Sequence, residues 1–277
     1  MFCGHLNAVP LAHLTARLAR AQLWVQVHGI DAWQPKGRFY RSALKETKLV
    51  TSVSRFTKHK LLSWAKLPPH RVRVLPNTVA PSYFPREKRR DLVEIYALEG
   101  KRVILTVGRL SSSEHYKGHD RIIRALPEVI AQVPDAIYLI AGTGDDRQRL
   151  EQLAAERGLV GSVVFTGHVP DDQLPDYYAL ADVFAMPSNG EGFGIVFLEA
   201  AACGLPVIAG NADGSVDALA EGQIGCLVDP RSHEQVTAAL ICALQGGGLS
   251  ADVAAVKRFS FENFAQHVDE LMQDIAG

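Results

Sequence analysis

From residue 101 onward the apolar positions fall into short unbroken blocks, VILTV, AIYLIA, SVVF, DVFAM, PVIA and CLV, separated by segments with apolar residues at helical spacing. Blocks that are apolar at every position read as strands buried on both faces, and their alternation with helices predicts a parallel sheet of βαβ units. Six or seven strands are expected, enough for a complete Rossmann-like sheet. KGHDRIIRALPEVI predicts a helix opening after Lys117, and DDRQRLEQLAAERGL predicts one capped by Asp145 and stopped at Gly158. Upstream, residues 8–21 carry apolar positions at helical spacing with arginines opposite; a strand-like run follows at 23–28, then a second helix and a strand (KLVTSVS) around 45–57, the strand reading out to Ser54, and another strand at 72–77. These three strands read as the later half of a second doubly wound domain. Prolines and a basic cluster between 81 and 100 read as a linker, with Arg86, Lys88, Arg89 and Arg90 on a solvated face. The tail FSFENFAQHVDELM predicts an amphipathic helix.

One stretch, GEGFGIVFLEAAACGLPVIAG at 190–210, breaks this regular alternation. Gly190, Gly192 and Gly194 precede an apolar helical run from Ile195 to Ala202, which stops at Gly204 and Pro206. Without a Cβ, glycine lets a ligand approach the backbone, and the free amides of a helix's first turn face an incoming anion. Two acids bracket this phosphate-holding loop: Glu191 within it and Glu199 farther along the helix. Helical side chains lean toward the N-terminus, so Glu199 is expected to reach back toward the same ligand. Acids beside a phosphate suggest sugar hydroxyls as their partners.

This glutamate spacing, with its glycines and the ACGLPVIA ending, resembles the retaining glycosyltransferases of family 4, which have the two-domain GT-B fold. The resemblance implies that Glu191 contacts the donor sugar, that Glu199 contacts the ribose, and that the loop backbone at Gly192, Phe193, Gly194 and Ile195 lies against the donor. VGRL and YKG resemble the family's diphosphate grip, which implies that Gly108, Arg109 and Lys117 meet the phosphates. Arg supplies a planar fork and Lys a compact charge. FTGHVP resembles the loop that holds the nucleotide base through backbone groups, implying Gly167, His168 and Val169. VHGID, VSRFTK and VLPNTV resemble the last segments of the acceptor domain, and His28 matches a histidine close to the reacting sugar; Asp31 is the weaker neighbour. Asp217 stands where the family has Glu, so no role is carried onto it. The C-terminal helix resembles one that crosses back to the first domain.

The expected architecture is therefore α/β GT-B: residues 1–85 an incomplete N-terminal Rossmann-like acceptor domain, 86–258 a complete nucleotide-sugar domain, and 259–277 the crossing helix. About 80 residues precede the linker where about 100 to 150 make such a domain, so the first strands are expected to be missing, through a fragment, a shortened gene product or a partner chain. The implied reaction is hexosyl transfer from a nucleotide diphosphate sugar to a lipid-linked or saccharide acceptor, with retention. His28, Glu191, Arg109 and Lys117 would be its catalytic residues, and the departing phosphate would assist deprotonation. A donor-binding remnant without catalysis is the alternative, and an epimerase of the same architecture a weaker one. No other cofactor is implied.

Charge alters this picture in one respect. The chain of 277 residues has a net charge of −1, but residues 1–100 hold 17 Lys and Arg against 6 acids, and the remainder 12 against 24. Such a split suggests that the first part faces an anionic lipid or membrane surface, although unevenly scattered solvated charge would look the same. Nothing points to nucleic acid. Cys3, Cys203, Cys226 and Cys242 show no CxxC spacing and read as reduced core residues of a cytoplasmic protein. No apolar run is long enough to span a membrane, so contact at the inner membrane face would be peripheral. Asp145 with Asp146, and Asp171 with Asp172, sit where helix caps are expected, and no His or Cys cluster suggests a metal. A glycosidase acid pair would have no use for a phosphate loop. The GTG at 142–144 begins a dinucleotide pattern, but Arg147 occupies the position that needs a small residue.

Overall fold

A computed structural model describes residues 1–247 and 253–276; residues 248–252 of the 86–258 segment, and Gly277 at the end of 259–277, lie outside the described residues. Two parallel sheets form. The first holds β1 (Phe2–Cys3), β2 (Trp24–Val27), β3 (Leu49–Ser52) and β4 (Val72–Val74), paired in sequence order. The second holds β5 (Arg102–Val107), β6 (Ala136–Ala141), β7 (Val163–Gly167), β8 (Val183–Met186), β9 (Val207–Gly210) and β10 (Cys226–Val228), in the order β10-β9-β8-β5-β6-β7.

That second order matters chemically. The chain winds outward from β5 through β6 and β7, returns beside β5 as β8, and then winds the other way. Between β5 and β8 the loops leave the strand ends in opposite directions, which opens the crevice where doubly wound sheets bind ligands. The first sheet has no such reversal.

Helices cover both sheets. In chain order they are α1 (Val9–Leu18), α2 (Ile30–Trp33), α3 (Arg38–Lys45), α4 (Arg55–Ala65), α5 (Arg90–Ile95), α6 (His119–Gln132), α7 (Arg147–Glu156), α8 (Leu174–Leu180), α9 (Ile195–Ala202), α10 (Ser215–Ala218), α11 (His233–Leu244), α12 (Val253–Lys257) and α13 (Phe261–Ala276). Side chains of β5 alternate across the sheet: Val103, Leu105 and Val107 join the layer under Phe197 and Leu198 of α9, while Ile104 joins that under Ile122 and Leu126 of α6 and Leu240 of α11. This two-sided burial is why the strands are apolar at every position.

The first sheet buries Val25, Val27 and Val50 against Leu44, Leu61 and Trp64. Its other face carries Trp24, Leu49 and Leu75, and onto these α13 lays Leu271 with Phe264, Val268 and Ile275. Thr78 Oγ1 donates to the Phe259 carbonyl at 2.7 Å, tying the end of the first sheet to the start of that helix.

Several local expectations are corrected. Asp145 does not cap α7: its carboxylate accepts from the Ser112 amide at 2.8 Å and from the Ser112 hydroxyl at 2.5 Å, while Asp146 pairs with Arg149 and His115. Asp171 and Asp172 lie in an exposed turn before α8, whose N-cap is Gln173. The linker cations are not merely a solvated face, because Arg86 and Arg89 converge on Asp176 at 2.9 and 3.1 Å and Lys88 approaches Asp182 at 3.8 Å. The four cysteines are free, but only Cys3 and Cys203 are buried; Cys242 is exposed and Cys226 half-buried. Gly142 and Gly144 answer to packing, since a methyl group on either would stand 1.9 or 2.0 Å from the carbonyl of Gly108 or Leu110.

Candidate active site

Beyond the end of β5 the backbone passes through Gly108 to Arg109, and beyond β8 it enters the 190–194 loop. Between them stands Lys117, its side chain laid over Gly108, where a Cβ would lie 3.6 Å from Lys117 Cδ. Lys117 Nζ donates to Glu191 Oε1 at 2.7 Å and lies 3.8 Å from Glu114 Oε2. Arg109 pairs with Glu114 Oε1 from a side chain that is 79% exposed. Two cations and two carboxylates thus form one chain, Arg109–Glu114–Lys117–Glu191, at the topological switch point. Lys117, Glu191 and Glu114 are only 13%, 12% and 9% exposed, so their charges act in a poorly screened setting.

The backbone that carries Glu191 is itself held. Asp213, 3% exposed, accepts from the Glu191 amide at 2.7 Å, from Ser188 Oγ at 2.8 Å and from the Ser215 amide at 3.0 Å. A carboxylate with that many donors is fixed in place, and it fixes the loop.

All three alternating glycines pack against the protein rather than leaving an open ligand surface, a methyl group at Gly194 standing 2.4 Å from the Phe197 ring. A methyl group at Gly190 would sit 2.7 Å from the Tyr116 ring, and one at Gly192 would sit 2.3 Å from the His28 carbonyl and 2.9 Å from Gly29 Cα. The Gly192 carbonyl also accepts from Ser54 Oγ at 2.6 Å. Gly192 is therefore where the two sheets' strand ends touch. Gly194, at φ +87°, opens α9 without a side-chain cap, which leaves the helix's positive end facing the loop. Phe193 contributes only its backbone: its ring is 2% exposed and packs edge-on against Phe259. Ile195 is exposed at the same helix end.

Glu199 is not joined to this chain of charges. Its Oε2 accepts from Tyr178 Oη at 2.7 Å. Burial raises its pKa, and the Tyr178 and Tyr83 hydroxyls nearby offset part of that rise. Burial likewise holds both phenols well above their ordinary range. His28 directly follows β2 with an exposed ring whose Nε2 is 2.8 Å from the Gly4 carbonyl. Asp31 accepts from the amides of His28 and Gly29 at 3.2 and 2.7 Å, and so shapes this turn. Gly167 is the last residue of β7 and His168 follows it, on the far side of β6; Val169 is buried, and the Gly167 carbonyl accepts from the Gly142 amide. The structure thus brings together Gly108, Arg109, Lys117, Glu191, Gly192 and the His28 backbone; Glu199 pairs with Tyr178 instead of joining the charge chain, and Gly167 reaches Gly108 only through Gly142.

Two parallel Rossmann-like sheets with a crevice at the switch point of the second define the class of fold. The family model described as glycosyl transferases group 1 matches residues 88–259, and the chain belongs to that family. Among curated relatives, it is 35% identical over 249 residues to a GDP-mannose-dependent alpha-(1-6)-phosphatidylinositol monomannoside mannosyltransferase of Mycolicibacterium smegmatis, covering 84% of this chain and 64% of that one. It is 30% identical over 287 residues to a D-inositol 3-phosphate glycosyltransferase of Acidothermus cellulolyticus, covering 96% of this chain and 62% of that one. The chain therefore spans somewhat under two thirds of these relatives' length. The crystal structure of Anabaena Alr3699/HepE in complex with UDP and glucose superposes with a TM-score of 0.80 at 21% identity, covering 98% of this chain and 77% of that one. Sucrose-phosphate synthase of Thermosynechococcus elongatus gives 0.76 at 23% identity, over 99% and 73%. The fold is GT-B.

Proposed function

We propose that the chain carries the donor site and part of the acceptor site of a retaining glycosyltransferase, which moves a hexosyl group from a nucleotide diphosphate sugar to a lipid-linked or saccharide acceptor. The observation that carries this reading is the Lys117–Glu191 pair at the switch point, with Arg109 beside it and the uncapped end of α9 behind it. In the reaction, Arg109, Lys117 and the α9 amides meet the charge that develops on the departing diphosphate, a role a metal would otherwise take. Glu191 accepts from a hydroxyl of the transferred sugar, Glu199 binds the ribose, and backbone groups at 167–169 hold the base. His28 faces the reacting carbon from the other wall. The curated relative that uses GDP-mannose makes that donor the first to try.

Glu191→Ala is expected to abolish transfer while the protein still binds GDP, and Glu199→Ala to weaken donor binding; undiminished turnover in both variants refutes the assignment. Turnover is expected to survive EDTA. Calorimetry paired with a donor-hydrolysis assay tests competence, since binding without any turnover marks a donor-binding remnant.

The acceptor's lipid character is supported at the opposite end of the first sheet. Leu11, Leu14 and Leu18 of α1 are 70%, 56% and 79% exposed along one outward stripe, although Val9 and Ala16 on its inner face are buried. Beside it lies a hollow of about 560 Å³ whose lining includes Arg17, Arg20, Lys45, Lys48 and Arg71 with one acid, Glu46, 4.0 Å from Arg17. Apolar residues next to clustered cations suit an anionic bilayer surface. Among the described residues no helix is long and apolar enough to cross a membrane. Flotation with phosphatidylglycerol vesicles, but not with phosphatidylcholine ones, is expected, and Leu14→Asp should abolish it.

A further inference from the structure

The charge chain contains one acid that the proposed reaction does not use. Glu114 sits in the loop after β5, three residues before Lys117, and is buried. Its Oε1 holds Arg109, and its Oε2 lies 3.8 Å from Lys117 Nζ, is buried, and makes no hydrogen bond. A buried carboxylate oxygen without a donor carries an uncompensated desolvation cost, so the arrangement is not arranged for the carboxylate's own comfort. It gains only from the two cations it neutralises.

We infer that Glu114 is a built-in counter-anion of the diphosphate grip: it occupies Arg109 and Lys117 while the crevice is empty, and an incoming diphosphate displaces it from at least one of them. The inference rests on the reading that Arg109 and Lys117 bind the donor phosphates. With Glu191 included, the four side chains sum to zero charge. A diphosphate entering that group meets cations already satisfied, so the site's affinity for simple anions is set low. Full affinity then requires the sugar and base contacts as well. Arg109, 79% exposed and anchored at its guanidinium end, is the member free to swing. Glu114 is thus a specificity-determining residue that penalises phosphate and pyrophosphate relative to a complete nucleotide sugar.

The test is calorimetric titration of the full chain and of Glu114→Gln with pyrophosphate, GDP and GDP-mannose at two salt concentrations. Glu114→Gln keeps the shape and removes the charge. It is expected to bind pyrophosphate about ten-fold more tightly, with a steeper salt dependence, and GDP-mannose only a few-fold more tightly. Unchanged or weaker pyrophosphate binding by a folded Glu114→Gln overturns the inference, because a carboxylate that merely orients the two cations would loosen every ligand on removal. Should that variant not fold, the Arg109 side-chain resonances of the unaltered chain decide: they must shift on adding pyrophosphate, and stationary resonances overturn it. If the unaltered chain binds neither GDP nor pyrophosphate, the donor-site reading and this inference fall together. If it binds GDP and Glu114→Gln differs in nothing, this inference alone falls. Tighter pyrophosphate binding with no sugar transfer by the unaltered chain sustains the inference and removes only the transferase reading.

Discussion

The two sheets are built from the same unit but differ in what they carry. The six-stranded sheet reverses direction between β5 and β8, and Arg109, Lys117 and Glu191 all leave strand ends beside that reversal. The four-stranded sheet runs β1 to β4 in one direction and offers the crevice a wall: the His28–Gly29 backbone, Ser54 and Thr57 against the Gly192 carbonyl. Winding direction, more than composition, decides which half can assemble an anion site. If the halves divide labour in this way, damage at their contact should cost transfer and spare donor binding.

Gly192→Ala is the strongest way to break that division. The added methyl group would meet backbone atoms on both His28 and Gly29, and backbone cannot rotate aside as a side chain can. The walls must separate by a fraction of an ångström to about one. Misplacing a reacting group by about 1 Å costs on the order of 100-fold, so transfer should fall by about that factor or more. GDP affinity should change only a few-fold, because Arg109, Lys117, Glu191 and Glu199 all belong to the other half. A collapse in GDP affinity equal to the loss of turnover would show that the loop itself was distorted.

How far the sequence discloses this division depends on what carries each part. The unbroken apolar blocks announce a two-sided parallel sheet because burial on both faces leaves no other composition, and α9 spans Ile195–Ala202 as its apolar run and flanking glycines require. Glu114 and Asp213 were not legible. Both are acids in polar loops, SEHYKG and NADGS, and become special only when β5 is set beside β8 and when 213 folds back onto 191. The glycines misled for a related reason. A missing Cβ records close approach without naming what approaches, and at Gly190 and Gly192 the partners are Tyr116 and the other sheet. The linker cations read as solvated because Asp176 and Asp182 lie some ninety residues away in the chain. The short strand β1 and helices α4, α8 and α11 also escaped, since α4 mixes polar and apolar positions with only a weak stripe.

A second contrast lies in the buried polar groups, and pH sharpens it. In the six-stranded half, Thr106, Tyr138 and His119 form a buried chain, with 2.8 Å between the hydroxyls and 3.1 Å from Tyr138 Oη to His119 Nδ1. Burial, with Lys117 nearby, lowers the His119 pKa from 6.5 to about 4, so the folded protein holds it neutral. The unfolded chain takes up that proton as pH falls through 6.5, and stability is lost progressively down to the folded value. The loss amounts to about 2 kcal/mol by pH 5. The buried polar cluster of the other half, Trp24, Gln26 and Thr51, contains nothing that titrates in this range. His119→Leu should flatten the slope of urea stability between pH 7 and pH 5 relative to the unaltered chain. An identical slope in both would mean that carboxylates elsewhere govern the acid limit.

The smallest effect is expected at the clamp that joins the halves. Arg55, at the start of α4, reaches across to Asp217 Oδ1 at 2.6 Å and Glu221 Oε1 at 2.5 Å, and its amide donates to Asp217 Oδ2 at 3.2 Å. Asp217, which received no role from the family pattern, thus serves as a cross-sheet anchor. Arg55 is 55% exposed and Glu221 62%, so water and salt screen that pair; Asp217 is 13% exposed but keeps the Arg55 amide as a donor when the side chain is removed. Exposed pairs of this kind contribute roughly 0.2–1 kcal/mol, so Arg55→Ala should lower stability by less than about 1 kcal/mol. The difference should shrink further as salt rises from low to molar concentration, because the Debye length falls from about 30 Å at 0.01 M to about 3 Å at 1 M. Thermal melts of both chains across that range measure it. A loss of several kcal/mol, or one indifferent to salt, would mean that the halves are held together by this clamp rather than by the packing of Gly192 on His28, and would shift the weight of the interface from backbone contact to charge.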